Sequence, residues 1–334
     1  MLSGMEASGT TDQVGSNREE RIRHCADVIR HYQQPGGAYP ASPNFKSYSF
    51  CWFRDGAFIA NAMSLAGDIE SAEEFFDWCS NVVNNRRDHI LSGGLMDARY
   101  TYDGLEDDVE NWEKYQLDGY GTWLWAAKEH SVRHGRSLER FQEAIGLTQH
   151  YLAVHWQEPC LDWWEERSGT HAASLSCIYA GLLAFDHPEA SNVRKAIDLS
   201  GERTDGSLLV CPLLDAVSDE QFAPVLARIE DEIVGPDGGV YRYRDDVYFG
   251  GGQWPLLSCF LGLNYLKQGR YDDLALPLAW VESHIDEQGW LPEQISDNVL
   301  HPDGLEQWQG MAGPSANPLL WSNAMYVTLA SLIR

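Results

Sequence analysis

Positive charge is scarce in this sequence. Its 334 residues include 24 lysines and arginines against 50 aspartates and glutamates, which gives a formal net charge of −26. Nucleic acids and anionic membrane surfaces are bound through basic patches, so neither is expected as a partner. A neutral ligand is compatible with this charge.

Long apolar runs and metal-type cysteine spacings are also missing. No run of about 18 apolar residues occurs, so no transmembrane helix is expected, and the polar first twenty residues lack the apolar stretch of a signal peptide. None of the seven cysteines forms a C-x-x-C pair, so zinc-site spacing is absent. We therefore predict a cytoplasmic protein without cofactor or metal, in which buried cysteines serve as small hydrophobic residues.

Strand-like alternation is rare, whereas helical periodicity dominates after residue 17. We predict a flexible lead over 1–17 and one all-α domain over 18–334. The best strand candidate is 239–249. Helices are predicted at 18–32, 54–66, 70–86, 117–133, 138–156, 171–185, 188–200, 217–231, 253–268, 271–285 and 318–333.

A tryptophan–glycine–tryptophan spacing occurs twice. Trp52, Gly67 and Trp78 are spaced like Trp254, Gly269 and Trp280, and each set indicates a helix, a turn and a second helix. Repeated helical hairpins bury one face against their neighbours. Long loops in a compact helical protein usually carry function, whereas a protein-binding solenoid, the alternative, would favour short regular turns. The long loops are predicted at 33–50, 87–116, 157–170, 232–252 and 286–317.

These loops combine aromatic rings, arginines and carboxylates. The segment CLDWWEERSGTH, Cys160 to His171, places two tryptophans directly before two glutamates. Aromatic faces stack on the apolar face of a pyranose, and paired charged groups such as Arg54 and Asp55 bind its hydroxyls. An ordinary ion pair is the alternative for any one such pair. Five similar clusters in five loops favour a sugar-binding cleft.

The loop residues match a known family. The sequence resembles glycoside hydrolase family 15, the glucoamylase-like enzymes, through six motifs in the family's order. The motifs are W-x-R-D (Trp52, Arg54, Asp55), W-x3-Q-x-D-G (Trp112, Gln116, Asp118, Gly119), D-x-W-E-E (Asp162, Trp164, Glu165, Glu166), R-Y-x-x-D-x-Y-x5-W (Arg242, Tyr243, Asp246, Tyr248, Trp254), P-E-Q (Pro292, Glu293, Gln294) and W-S-N-A (Trp321 to Ala324).

This resemblance implies an (α/α)6 barrel, a toroid of six inner and six outer helices with long active-site loops at one mouth. It further implies a metal-independent, exo-acting enzyme that hydrolyses α-glucosidic bonds with inversion and releases β-glucose. Inversion requires one carboxylic acid that protonates the leaving oxygen and one carboxylate that activates water. By resemblance Glu165 is the general acid and Glu293 the general base.

The resemblance also assigns the substrate contacts. Arg54 and Asp55 match a clamp on the terminal glucose, Arg242 matches a ligand of the next sugar, and Glu166 lies on the leaving-group side. Trp112 and Trp254 match stacking walls or, alternatively, core residues. The full set of predicted substrate-binding residues is Tyr48, Trp52, Arg54, Asp55, Trp112, Trp164, Glu166, Arg242, Asp246, Trp254 and Gln294, of which Tyr48 and Gln294 match groups that hold the attacking water.

Structural roles compete with several of these assignments. Glu165 or Glu166 alternatively pairs with Arg167, while Asp118 and Asp162 are expected to cap or orient loops. Trp52, Trp78 and Trp280 occur at helical spacing and are expected in the core.

The sequence departs from the family in its short length and trimmed loops, which leaves linkage preference open. Its expected partner is a short isomalto- or malto-type oligosaccharide. A trehalase-like or other-sugar inverting hydrolase and a catalytically inactive sugar-binding domain are the alternatives.

Overall fold

The computed structural model describes residues 9–107 and 114–333, and side chains from residue 18 onward. Two antiparallel strand pairs, β1 (Cys51–Trp52) with β2 (Arg99–Tyr100) and β3 (Cys160–Leu161) with β4 (Ser168–Gly169), lie among many helices. The fourteen α-helices of this part of the chain are α1 (Gly9–Tyr32), α2 (Phe53–Ala66), α3 (Ile69–Asn84), α4 (Arg87–Leu91), α5 (Asp118–His134), α6 (Gln142–His155), α7 (Ala172–Ala184), α8 (Ala190–Ala196), α9 (Val210–Leu213), α10 (Asp219–Glu232), α11 (Pro255–Lys267), α12 (Tyr271–Ser283), α13 (Pro302–Ala312) and α14 (Leu320–Leu332).

Six helical segments form a closed inner ring. In order around the ring they are α2, α5, α7, the segment 206–213, α11 and α14, and α14 packs back against α2. The segment 206–213 is a 3-10 helix, Gly206–Leu209, that continues into α9. Inner helices are largely buried, as α2 shows, in which every residue from Phe53 to Ser64 is buried.

An outer helix follows or precedes each inner one along the chain. These six are α1, α3, α6, α8, α10 and α12, and they are apolar on one face only. In α10 the buried residues Phe222, Val225, Leu226 and Ile229 follow the spacing of a single helix face. The alternation of inner and outer helices confirms the predicted (α/α)6 barrel.

All eleven predicted helices are present, with shifted ends. The twelfth barrel helix, 206–213, has no clear periodic pattern because it is short and split between two helix types. The small helices α4 and α13 lie inside predicted loops. Helix α1 begins at Gly9, within the predicted lead over 1–17, and the division of the chain at residue 17 stays a prediction.

The predicted strand over 239–249 is wrong. Val240 and Tyr241 form only isolated bridges, after which the chain turns. The Asp246 carboxylate accepts bonds from the Arg242 side chain and, at 2.9 Å, from the Tyr248 amide. Phe249 has a φ of 48°. The alternating aromatic residues therefore belong to a folded loop stabilised by its own ion pair.

The repeated tryptophan–glycine spacing corresponds to equivalent positions in two hairpins, as predicted. Trp52 and Trp254 are the extended residues immediately before α2 and α11. Gly67 and Gly269, with φ of 89° and 69°, lie where these helices end. The left-handed backbone there favours glycine.

Close backbone contact fixes the inner ring at α5 and α7. A Cβ atom at Gly121 would lie 2.2 Å from the Cys177 carbonyl oxygen, and one at Gly181 would lie 2.4 Å from the Gly121 oxygen. At the start of α5, a Cβ at Gly119 would meet the backbone of Arg54 at 2.8 Å. The first turns of α2 and α5 are thereby held side by side.

The seven cysteines are all free and buried, which confirms their predicted role as small apolar residues. None of the helices in residues 9–107 and 114–333 combines the length and hydrophobicity needed to cross a bilayer.

Candidate active site

The predicted site residues gather at the end of the barrel where the inner helices begin. Arg54 and Asp55 lie in the first turn of α2, Asp118 begins α5, and Trp254 directly precedes α11. Helix N-termini carry a partial positive charge that favours carboxylates nearby. This mouth of the barrel therefore suits a cluster of acidic side chains.

Glu165 lies in the tight turn between β3 and β4. Its backbone is left-handed, with a φ of 60°, and its side chain is half-buried. The Trp52 indole Nε1 donates a 2.7 Å hydrogen bond to Glu165 Oε1. The Arg99 guanidinium lies 4.7 Å from the Trp52 ring centroid and supports that ring. The turn thus presents one carboxylate oriented by an indole N–H.

Glu293 lies in the loop after α12 and is only 2% exposed. Tyr48 donates to its Oε1 at 2.7 Å, and Ser315 Oγ donates to its Oε2 at 3.2 Å. Burial raises the pKa of Glu293 to about 7, although the Tyr48 bond and the Arg242 charge act in the opposite direction. Glu293 consequently titrates near neutrality.

Two aromatic rings connect these carboxylates. Tyr48 and Trp52 are in edge-to-face contact, with ring centroids 5.8 Å apart and an angle of 82° between planes. Tyr48 contacts Glu293, whereas Trp52 contacts Glu165. The structure therefore brings the predicted acid and base to one site, each with its own donor.

Arg54 and Asp55 are both buried beside Asp118. Arg54 Nη1 donates to Asp118 Oδ2 at 2.9 Å and to Gln116 Oε1 at 3.2 Å. Burial raises the pKa of Asp55 to about 7, opposed by the Arg54 charge. Arg54 Nε and Asp55 Oδ2 face each other as a buried ion pair at 3.6 Å, and neither atom has a hydrogen bond. They offer one donor and one acceptor to a ligand.

Arg242 connects Asp246 to Glu166. It donates to the two oxygens of Asp246 at 2.7 and 2.6 Å and to Glu166 Oε1 at 3.0 Å. Tyr243 also donates to Glu166. Glu166 forms its ion pair with Arg242 rather than with Arg167.

Aromatic rings enclose the Arg242 guanidinium. Its carbon lies 5.1 Å from the Trp164 ring, 5.1 Å from the Tyr248 ring and 5.3 Å from the Trp254 ring. The Trp164 indole N–H is fixed by both oxygens of Asp205, at 2.9 and 3.1 Å. Aromatic rings and charged groups thus surround Arg242, which also contacts Glu166, the residue next to Glu165.

The other residues predicted from the sequence differ in their contacts and burial. Gln294 Oε1 accepts from the Gly252 amide at 2.8 Å, while its buried Nε2 has no partner. Trp52 is both a core residue, 5% exposed, and a contact of Glu165. Trp78 and Trp280 are buried, as predicted. Trp112 lies outside the described residues.

Some residues of the site were not selected from the sequence. Tyr248, whose hydroxyl lies 2.8 Å from that of Tyr48, was quoted in a motif without a role. Gln116 was quoted in another motif without a role, and Asp118 was expected to cap or orient a loop; both contact Arg54. Ser315 and Asp205 carried no signal, because single polar residues in a loop or before a short helix do not indicate their distant partners.

Comparisons with known proteins agree on one family. Residues 16–186 match the sequence profile of Glycosyl hydrolases family 15. An isomaltose glucohydrolase of Kribbella flavida is 36% identical over 373 aligned positions, which cover 99% of this chain and 97% of that protein. An uncharacterized glycosyl hydrolase of Methanocaldococcus jannaschii is 27% identical, over 87% of this chain and 52% of its own length.

Solved structures give the same result. A wild-type glycosidase superposes with a TM-score of 0.90 at 34% identity, covering 98% of this chain and 99% of its own. A bacterial glucoamylase complexed with acarbose gives a TM-score of 0.74 at 20% identity, covering 93% of this chain and 55% of its own, and shares the fold.

Proposed function

The chain belongs to glycoside hydrolase family 15, and from that premise we propose that it releases β-glucose, with inversion, from the non-reducing end of short α-gluco-oligosaccharides. It is an α-glucoside hydrolase. The observation that supports the mechanism best is the pair of carboxylates, Glu165 and Glu293, which contact opposite members of the Tyr48–Trp52 ring pair.

Glu165 acts as the general acid in this proposal. A half-buried carboxyl in a turn at the barrel mouth delivers a proton to the glycosidic oxygen and regains one from solvent after each turnover. The Trp52 N–H orients Oε1 and stabilises the carboxylate left after proton transfer.

Glu293 acts as the general base. Tyr48 and Ser315 hold the two oxygens of its carboxylate, which removes a proton from a water molecule on the other face of the sugar ring. The product anomer is then inverted. Because burial raises its pKa to about 7, Glu293 is a stronger base than an exposed glutamate.

Buried polar atoms without a hydrogen bond support a polyhydroxylated ligand. These atoms are Gln294 Nε2 and the two members of a 3.6 Å ion pair, Arg54 Nε and Asp55 Oδ2. Leaving such groups unpaired costs free energy, so proteins seldom bury them without a ligand or water to complete them. The hydroxyls of a terminal glucose fit this combination of donors and acceptor. A clamp on the terminal sugar restricts the enzyme to exo attack.

One relative supports the assignment of the linkage. The Kribbella flavida relative, aligned over nearly its full length, is named for action on isomaltose. Arg242 contacts both Glu166 and the Trp164 ring, and by the family resemblance these groups lie on the leaving-group side. We assign isomaltose as the preferred disaccharide.

Initial rates on isomaltose, maltose, trehalose, kojibiose and nigerose test this assignment. The expected result is the highest kcat/KM on isomaltose, and a higher value on any other disaccharide would contradict it. Binding of these sugars without hydrolysis would show a sugar-binding protein instead.

Substrate length tests the short-substrate claim. We expect kcat/KM to rise less than tenfold from isomaltose to a seven-unit isomalto-oligosaccharide. A larger rise, equivalent to about 1.4 kcal/mol or more of added transition-state binding, would reveal distal subsites and contradict the claim.

A further inference from the structure

The turn that carries Glu165 is stabilised mainly by Asp162. The Asp162 carbonyl accepts from the Glu165 amide at 3.1 Å, and its own amide donates to the Arg167 carbonyl at 2.9 Å. Its carboxylate Oδ1 accepts from the amides of Glu166, at 3.0 Å, and Arg167, at 3.4 Å. These bonds hold Glu165 in a left-handed backbone that non-glycine residues seldom adopt.

Gln116 joins this turn to the arginine of the sugar clamp. Its Nε2 donates to the Asp162 carbonyl at 2.5 Å, and its Oε1 accepts from Arg54 Nη1 at 3.2 Å. The side chain is almost fully buried, with the residue 1% exposed. One amide therefore spans from the first turn of α2 to the loop that carries Glu165.

The orientation of the Gln116 amide is fixed by its partners. A guanidinium only donates and a carbonyl only accepts, so the amide oxygen faces Arg54 and the amide nitrogen faces Asp162. A hydrocarbon side chain at position 116 cannot provide this pair of bonds, and an ionised glutamate would provide only the acceptor. The sequence position thus requires a side chain with both functions.

We propose that Gln116 is a positioning residue that couples sugar binding at Arg54 and Asp55 to the orientation of the acid Glu165. Asp55 and Asp118 already hold the Arg54 guanidinium, and a terminal sugar bound at Nε adds a further contact that fixes its position. Gln116 transmits that position to the Asp162 carbonyl, which is also bonded to the Glu165 amide. The inference rests on the proposed function and adds a specific link between its two parts.

Leaving-group chemistry separates this role from a merely structural one. Isomaltose needs a proton on the departing sugar oxygen, whereas fluoride leaves from α-glucosyl fluoride with little help from an acid. The base and the sugar clamp are needed for both. Misplacement of the acid therefore slows the hydrolysis of isomaltose and leaves the hydrolysis of α-glucosyl fluoride nearly unchanged.

The test compares Gln116→Met and Gln116→Glu with the wild-type enzyme on both substrates. Met keeps the size of the side chain and removes both bonds; Glu keeps the acceptor for Arg54 and removes the donor to Asp162. For each variant we expect kcat on isomaltose to fall about 10- to 100-fold, the scale of a misaligned catalytic group. On α-glucosyl fluoride, kcat should change less than about threefold, because the departure of fluoride depends little on the general acid.

Glucose affinity and melting temperature are measured alongside, and glucose should bind both variants within a fewfold of wild type. Equal losses on the two substrates, or no loss on isomaltose, would overturn the coupling. If Gln116→Met fails to fold, Gln116→Glu decides. A wild-type enzyme inactive on both substrates would instead refute the proposed function, so the two failures are distinguishable.

Discussion

The surroundings of Glu165 and Glu293 differ in almost every respect. Glu165 is half-buried in a left-handed turn between two short strands, with an indole N–H as its donor. Glu293 is 2% exposed, with a tyrosine and a serine hydroxyl on its two oxygens. One residue type is thus placed in an accessible setting and in a buried, hydroxyl-lined one.

This difference matches the different demands of acid and base catalysis. An acid must be recharged by solvent after each turnover, which a half-exposed side chain allows. A base must be basic enough to remove a proton from water near neutral pH, and burial raises the pKa of Glu293 to about 7. In the proposed mechanism, burial and hydrogen bonding distinguish the two roles.

Removal of either carboxylate is expected to have the largest effect. In Glu165→Gln and Glu293→Gln, kcat on isomaltose should fall roughly 10²- to 10⁴-fold, the usual contribution of a general acid or base. Steady-state kinetics at the pH optimum of the wild type measure the loss. Glu70→Gln is the matched control, because its side chain is 78% exposed and lies on the outer helix α3. A variant of either site carboxylate that behaves like the control would remove that residue from the mechanism.

The pH dependence of kcat/KM tests whether Glu293 ionises as a buried base. The base works only when ionised, so kcat/KM should fall as the pH drops through about 7. The Tyr48 bond lowers the pKa of Glu293, and Tyr48→Phe should therefore move this acid limb upward. A lost hydrogen bond of about 1 kcal/mol corresponds to a shift of roughly 0.7 pH unit.

Tyr326→Phe is the control for this profile, since Tyr326 donates to Glu282 away from the site. Asp55, whose pKa burial also raises to about 7, titrates in the same range in all three proteins. The difference between profiles consequently reports on Glu293. Superimposable acid limbs for wild type and Tyr48→Phe would contradict the assigned contact.

The pH dependence of stability also tests the burial of Glu293, with a smaller expected effect. The folded-state pKa of Glu293, about 7, exceeds its ordinary 4.5, so folding favours the protonated form. Its contribution to stability is fully present below pH 4.5 and is lost as the pH rises through 7. Glu293→Gln removes this dependence. The variant should gain on the order of 3 kcal/mol relative to wild type between pH 5 and pH 8.

Thermal unfolding at the two pH values measures that gain. The increase in melting temperature should be several degrees larger at pH 8 than at pH 5. Glu165→Gln, at a half-buried position, is the matched comparison and should gain less. Equal gains for both variants at both pH values would show that the two carboxylates are buried alike.

The sequence predicted the helices because periodic apolar faces and glycine-ended helices are local signals, whereas the barrel was implied by the family resemblance. Gly67 and Gly269 end their helices as the spacing indicated. The helix 206–213 escaped prediction because it has only two short turns. The strand over 239–249 was wrong because aromatic alternation also occurs in a loop folded by the Arg242–Asp246 pair.

The site was predictable in its residue types and motif order but not in its connections. Glu165 and Glu293 were selected from their motifs, and the roles assigned to them stay predictions that the experiments above address. Contacts such as Tyr48 with Tyr248, or Gln116 with Asp162, join positions on different loops. Such pairs depend on closure of the ring of inner helices, which no local pattern records.

The anomer released in the first minutes of hydrolysis tests the central claim most directly. Proton NMR of isomaltose digestion, recorded before mutarotation equilibrates the product, distinguishes α-glucose from β-glucose. If Glu165 protonates the leaving oxygen and Glu293 activates water on the opposite face, β-glucose appears first. Initial release of α-glucose would mean retention of configuration and would contradict the role of Glu293 as general base.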